Sequence, residues 1–349
     1  MQTNKRNVTI ALLMSTFLTA IEGTIVSTAI PSIVSDLKGM ELMNWVFSIY
    51  LLTSAVATPI FGKLADLYGR KRIFFAGTIL FLLGSVLSGM SATMTQLIWF
   101  RAFQGIGTGA IMPVTFTMVG DLYPFEQRAK IQGWISSVWG IAGIVGPLVG
   151  GFFVEQLTWH WVFYINVPFG IIAMIMVGLW FQESFEKQKK PIDYPGVILF
   201  SIGLISLLFA LQIGGESQQW TSNLVIGLFA AAVFFIALFL WVETKVSEPM
   251  VPLSLFTIRN IVIANAGGFI LSAVLIGMTA YIPVWVQGIL GLKATNAGIT
   301  LAPMSVSWTI GAFIGGRLLV KRGAKVTSHI GMVFLLASCA GLIAANLES

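Results

Sequence analysis

Charge is what this chain has least of. Asp, Glu, Lys and Arg make up 10% of its 349 residues, 56% are hydrophobic, and the mean hydropathy is +0.88. A water-soluble domain carries about 25% charged residues, so this polar content excludes one. Cysteine occurs once, at Cys339, which excludes an internal disulfide and a cysteine-rich metal site. The two histidines, His160 and His329, lie far apart, and no metal site is expected from them. Segments of about ten residues with alternating polarity, the mark of a transmembrane β-barrel, are missing. No Ser/His/Asp or paired-carboxylate constellation points to an enzyme. Gly105, Gly107 and Gly109 lack the lysine and the preceding strand of a phosphate-binding loop. His160 stands between Trp159 and Trp161, a setting of membrane interfaces rather than of catalysis.

Long apolar runs are abundant instead, and they read as an all-α polytopic membrane protein. Eleven spans are expected, near 8–30, 45–65, 73–91, 97–118, 131–154, 161–181, 195–213, 222–242, 261–287, 298–318 and 327–346. The start, Lys5 and Arg6 followed by apolar residues, is superficially a secretion signal. Its run is too long for one and contains Glu22, so it reads as a retained first span. With the N-terminus inside, 17 of the 20 Lys and Arg residues fall on the cytoplasmic side. Only Lys38 and Lys293 fall outside, and Arg101 lies within a span. This asymmetry sets a cytoplasmic N-terminus and an outer C-terminus. It also accounts for the net charge of +6 through anionic lipid headgroups, with no nucleic-acid partner.

The tightest connection is 62–72, between the second and third spans. It sets one acid, Asp66, among Lys63, Arg70, Lys71 and Arg72, and its glycines Gly62 and Gly69 permit a sharp hairpin. A worn copy, 316–325, follows the tenth span as the first follows the second, which signals two related bundles. The expected organisation is a six-helix bundle over 1–181, a linker with an extra helix pair over 182–259, and three helices of a second bundle over 260–349.

Two ionisable residues lie at membrane depth. Arg101 is about 6 Å, and Glu22 about 12 Å, from the outer ends of their helices, within reach of each other on facing helices. Gln104 follows Arg101 on the same face. Desolvation favours a neutral carboxyl and a nearby guanidinium favours a charged one, so Glu22 is a candidate proton- or cation-responsive site. A fixed structural ion pair competes with that reading, as does an Arg101 that snorkels to the interface. In the fifth span Gly133, Gly140, Gly143, Gly146, Pro147, Gly150 and Gly151 share an arc of about 140°, a smooth face with a kink. Close packing explains such a face, and control of how tightly a cavity seals is the functional alternative. Met14, Phe17, Met112, Phe116 and Met118 are candidates for an adaptable cavity lining, against simple packing or lipid contact.

Taken together, these residues resemble the major facilitator superfamily. The 62–72 stretch looks like its signature between helices two and three. Arg101, Gln104 and Gly105 match its fourth-helix signature. Residues 140–151, centred on Gly146-Pro147, resemble the fifth-helix signature of its antiporter branch. The stretch Trp159-His-Trp-Val-Phe-Tyr-Ile-Asn-Val-Pro-Phe-Gly170 and Asp193-Tyr-Pro-Gly196 look like the fourteen-helix drug:proton antiporter family. The resemblance covers the whole chain. It implies alternating access between two six-helix bundles and proton-driven export of lipophilic, often cationic drugs from a bacterial cell membrane. No cofactor is then expected beyond the proton gradient, and no partner beyond the bilayer and a small lipophilic substrate, with the protein a monomer. Arg101 would serve proton transfer, and Asp66 and Arg70 a conformational latch. The chain departs from the pattern at Glu22, where the family usually has Asp, and at Leu319 and Val320, where the second hairpin lacks an acid. About three family helices are missing after Ser349, so a C-terminally truncated chain, inactive alone, is expected. Export of an endogenous metabolite, lipid or peptide, and a channel, remain the alternatives.

Overall fold

The computed structural model describes residues 3–183, 193–217, 219–285 and 294–347. Lys187, Lys189, Lys190, Lys293 and the last two residues of the expected ninth span lie outside the described residues. The described part is built of helices joined by short connections, and helices are how a chain in hydrocarbon satisfies its own peptide groups. Helices α1 (Lys5–Leu37), α2 (Met43–Tyr68), α3 (Arg70–Gly89), α4 (Met94–Leu122) and α5 (Phe125–Gln156) come first. The sixth span is divided into α6 (Trp161–Tyr164) and α7 (Asn166–Trp180). Then follow α8 (Tyr194–Ser217), α9 (Asn223–Glu243), α10 (Arg259–Val284) and α11 (Ala294–Leu347).

Among the described residues, nine helices are long and apolar enough to cross a membrane. Eleven spans were expected, and two features account for the difference. The last two expected spans run on as α11, broken only at Gly323, whose φ of 80° and ψ of 170° are not helical. The ninth expected span falls on α10, whose described side chains make an apolar helix over Arg259–Leu275.

Short polar side chains start several helices. Asn4 accepts from Asn7 N at the head of α1, Thr93 from Gln96 N at α4, and Ser222 from Val225 N at α9. Around the first bundle, α4 packs on α2 and α3, and α1 packs on α5 and α7. The glycines that mimic a phosphate loop make the first of these contacts. Gly105 and Gly109 lie against the α2 backbone at Tyr50 and Ser54, and Gly107 against α3 at Phe81. A methyl group at any of the three would overlap the neighbouring helix, the usual role of small residues between membrane helices. The helix pair α8–α9 packs on itself and touches α2, where the tilted rings of Trp45 and Phe209 meet with centroids 5.0 Å apart. Helix α11 packs against α5.

Candidate functional site

The close α2–α4 and α3–α4 contacts carry Arg101 and Gln104 into the middle of the first bundle. Arg101, Gln104 and Glu22 are all fully buried, so Arg101 does not snorkel. Arg101 Nη1 donates to Glu22 Oε1 and to Gln104 Oε1, the latter at 2.8 Å. Its Nε donates to the carbonyl of Val46 at 3.1 Å, and its guanidinium sits 4.2 Å above the Tyr50 ring. Tyr50 in turn shares a 2.8 Å hydroxyl contact with Thr108. A buried charge is tolerable only when paired and hydrogen-bonded, and this guanidinium has a carboxylate, an amide, a carbonyl and a π face.

The other half of the network was not anticipated. Asn166 Nδ2 donates to Glu22 Oε2 at 2.7 Å and to Ser85 Oγ at 2.9 Å. Ser85 donates to the Phe163 carbonyl and accepts from Gln104 Nε2 at 3.3 Å. Asn166 stands at the start of α7, next to Ile165, whose φ of −57° and ψ of −27° keep the backbone helical across the junction with α6. A sequence signal existed, since Asn166 is the one strongly polar residue in the apolar stretch 161–181.

At the basic end, Gly69 separates α2 from α3 with φ 95°, a conformation that favours glycine. Its N–H closes α2 on Ala65 O, and the Glu183 carboxylate lies against its Cα. Glu183 accepts from the N–H groups of Arg70 and Lys71 at 2.6 and 3.1 Å, capping α3. Lys71 Nζ donates to Gly178 O and Phe181 O at 2.7 and 2.9 Å, capping α7. An anion at a helix start and a cation at a helix end both complement the helix dipole. Arg70 approaches Asp121 at the end of α4 at 2.8 Å and Asp66 at 3.5 Å. The nearer acid is therefore Asp121, which sequence reasoning missed, while the Asp66 side chain is 59% exposed. Lys63 lies 3.7 Å from Glu248 and donates to Pro249 O, joining the hairpin to the segment after α9. Gly62 is half-buried near Pro113, and Arg72 is exposed.

The fifth-span glycines divide. Gly146 and Gly150 touch α1 at Thr24, Ile25 and Thr28, leaving no room for a side chain. Thr24 also donates to Ala142 O, one turn before Pro147. Gly140 is buried and Gly143 half-buried, but a methyl on Gly151 would meet open space. The smooth arc is thus narrower than its spacing suggests, because α1 covers only part of it.

The cavity candidates divide too. Phe116 is 41% exposed and, with Arg128, Gln132, Gly316 and Leu319, lines a cavity of about 620 Å³ between α4, α5 and α11. Met118 is fully buried in the core, packed among apolar side chains. Phe17 packs against Phe169, and Met112 accepts a contact from Thr19 at 3.2 Å. Met14 is half-buried on α1.

The chain is thus a helical membrane bundle with a charge network buried in it and a braced basic hairpin at one end. A profile for the Major Facilitator Superfamily matches residues 12–348, and the chain belongs to that family. It is 42% identical over 324 residues to "Multidrug transporter protein MdtP" of Bacillus subtilis, covering 93% of this chain and 60% of that protein. It is 40% identical over 342 residues to "Multidrug resistance protein 3" of the same organism, covering 96% of this chain and 67% of that one. In fold it is similar to the proton:xylose symporter XylE bound to 6-bromo-6-deoxy-D-glucose, with TM-score 0.60 at 14% identity, over 90% of this chain and 69% of that one. The chain thus spans about 60% to 67% of the length of these two sequence relatives.

Proposed function

We propose that the protein exports lipophilic, often cationic drugs across a bacterial cell membrane in exchange for protons, by alternating access and with a cytoplasmic N-terminus. The observation that carries the coupling half of this reading is the Glu22–Arg101–Gln104 network, a carboxylate and a guanidinium fully buried in the first bundle. A proton on Glu22 removes the countercharge of Arg101 and loosens α1 from α4, so proton binding has a structural consequence. The drug half is supported by the names of the relatives and by the cavity beside Phe116, whose wall is mainly apolar with a few polar groups. Within this reading Gly62, Asp66, Gly69, Arg70 and Arg72 form the latch. Gly140, Gly143, Gly146, Pro147, Gly150 and Gly151 form the bend, and Met14, Phe17, Met112 and Phe116 contribute to the substrate path. The energy source is the proton gradient, without a cofactor, and the working unit is a monomer in the bilayer.

The test is dye transport in everted membrane vesicles with an imposed pH gradient, made with a full-length protein. Glu22→Gln is expected to abolish the gradient-dependent part while the protein still inserts and folds. Unchanged gradient-driven transport in that variant would overturn proton coupling through Glu22.

A further inference from the structure

The shell around Glu22 is made of donors. Oε1 faces Arg101 Nη1 and Oε2 faces Asn166 Nδ2. The orientation of the Asn166 amide follows from its neighbours. Arg101 has only hydrogens to offer, so Gln104 presents its oxygen to Arg101 and its nitrogen to Ser85. The single Ser85 hydrogen goes to the Phe163 carbonyl, so Ser85 can only accept from Asn166. Both Nδ2 hydrogens are then used, one on Ser85 and one on Glu22. Asn166 Oδ1 is left buried with no hydrogen-bond partner.

That arrangement suits a carboxylate and does not suit a carboxylic acid. A proton on Oε2 would set an O–H against an N–H, donor to donor. The Asn166 amide has an unused acceptor on its other side, and half a turn about its terminal torsion brings Oδ1 to the place of Nδ2. Gln104 Oε1 is the rival acceptor, but it already receives Arg101 Nη1. Arg101 on α4 is the charged group that faces Glu22, and Tyr50 on α2 the titratable one. Ser85 on α3, Phe163 on α6 and Asn166 on α7 are uncharged.

We infer that Asn166 is a positioning residue that reads the protonation state of Glu22, its side-chain amide turning over when the carboxylate takes up a proton and reversing the hydrogen bond between them. The turn also brings Oδ1 to the Ser85 hydroxyl, which is then free to swing from the Phe163 carbonyl to Asn166. A proton arriving on α1 is thereby felt on α3, at the end of α6 and on α7, as well as on α4. This rests on the reading of Glu22 as the proton site.

Infrared difference spectroscopy of the purified chain in nanodiscs, between alkaline and acid pH, tests it. A carboxyl C=O band is expected at acid pH and is lost in Glu22→Gln. A side-chain amide band should move with the same pH midpoint and disappear in Asn166→Leu, while the Glu22 carboxyl band persists. In Glu22→Gln the new amide must keep its oxygen toward Arg101 and so turns its nitrogen toward Asn166. The Asn166 band should then sit at its acid position at every pH. If Glu22 shows no carboxyl band, the proton-site reading itself fails. If Glu22 titrates but no amide band moves, or the moving band is lost in Gln104→Leu and kept in Asn166→Leu, the role assigned to Asn166 is overturned.

Discussion

At Gly69 and at Gly323 the chain turns between two helical legs with the same kind of backbone, φ 95° and ψ 143° at the first and φ 80° and ψ 170° at the second. The basic residues around the two turns also correspond, as a sequence copy should. Their surroundings do not. At Gly69 a carboxylate from beyond α7 caps α3, a lysine from α3 caps α7, and Arg70 reaches an acid on α4. At Gly323 a side chain would meet nothing within 4 Å, Arg317 lies over its own helix's Phe313, and Thr327 donates back to Gly323 O. The turn itself is a local matter that glycine solves in both places. The bracing is tertiary: at the first hairpin it is supplied by acids that other helix ends bring in, Asp121 from α4 and Glu183 from beyond α7.

The largest effect should come from filling the two glycines. Alanine at either position meets a backbone region reserved for glycine, at a cost of about 1–3 kcal/mol. At Gly69 the added methyl would also stand 2.8 Å from Glu183 Oε2 and displace it from two backbone donors. Charge-assisted hydrogen bonds contribute about 1.5–3 kcal/mol each, partly recovered by water at this end. Thermal unfolding of the purified variants should therefore show Gly69→Ala less stable than Gly323→Ala by about 2 kcal/mol. Equal losses would mean that the bracing at the first hairpin contributes nothing.

Next in size is the exchange of caps itself. Glu183→Gln keeps an acceptor and loses the charge at the α3 start, and Lys71→Met loses the cation at the α7 end. Each should cost about 1 kcal/mol, and the two losses should not add, with a coupling of about 0.5 kcal/mol or more, because both groups tie the same two helix ends together. A double-mutant cycle on unfolding midpoints checks it, and strict additivity would separate the caps. Arg70→Lys should follow at about 0.5–1 kcal/mol, shrinking as salt is raised, since Asp121 is 45% exposed and the pair is open to screening. Arg317→Lys at the second hairpin should be within about 0.5 kcal/mol of no change at any salt concentration.

These contrasts follow what was and was not legible beforehand. The spans could be placed because an apolar run of membrane length has few other uses. The Glu22–Arg101 pair could be paired because each charge at that depth needs a partner and only one was on offer. Helix-packing glycines at 146 and 150 were visible as a periodic face, though not how much of that face α1 would cover. Asn166 and Ser85 were missed because an uncharged polar residue in a membrane helix is usually satisfied by its own backbone. Asp121 and Glu183 were missed because an acid at a helix end looks like a solvated one until the fold brings another helix end to it. Met118 was left between cavity and core because a methionine at helical spacing carries no mark of which face turns to the core, where it lies.

The smallest expected effect on stability is the one that decides what the first hairpin is for. Asp66 is 59% exposed and stands 3.5 Å from an Arg70 that has a nearer acid. Asp66→Asn should therefore change the unfolding midpoint by less than about 0.5 kcal/mol. If the latch reading holds, dye transport should nevertheless fall sharply, because Asp66 would then have its working partner in a conformation other than this one, in which Arg70 is held by Asp121. Asp121→Asn should differ in kind. It removes the partner that Arg70 has here, so stability and transport should fall together. A pair of variants in which both properties always moved in step would make Asp66 an ordinary surface acid, and the hairpin a brace rather than a latch.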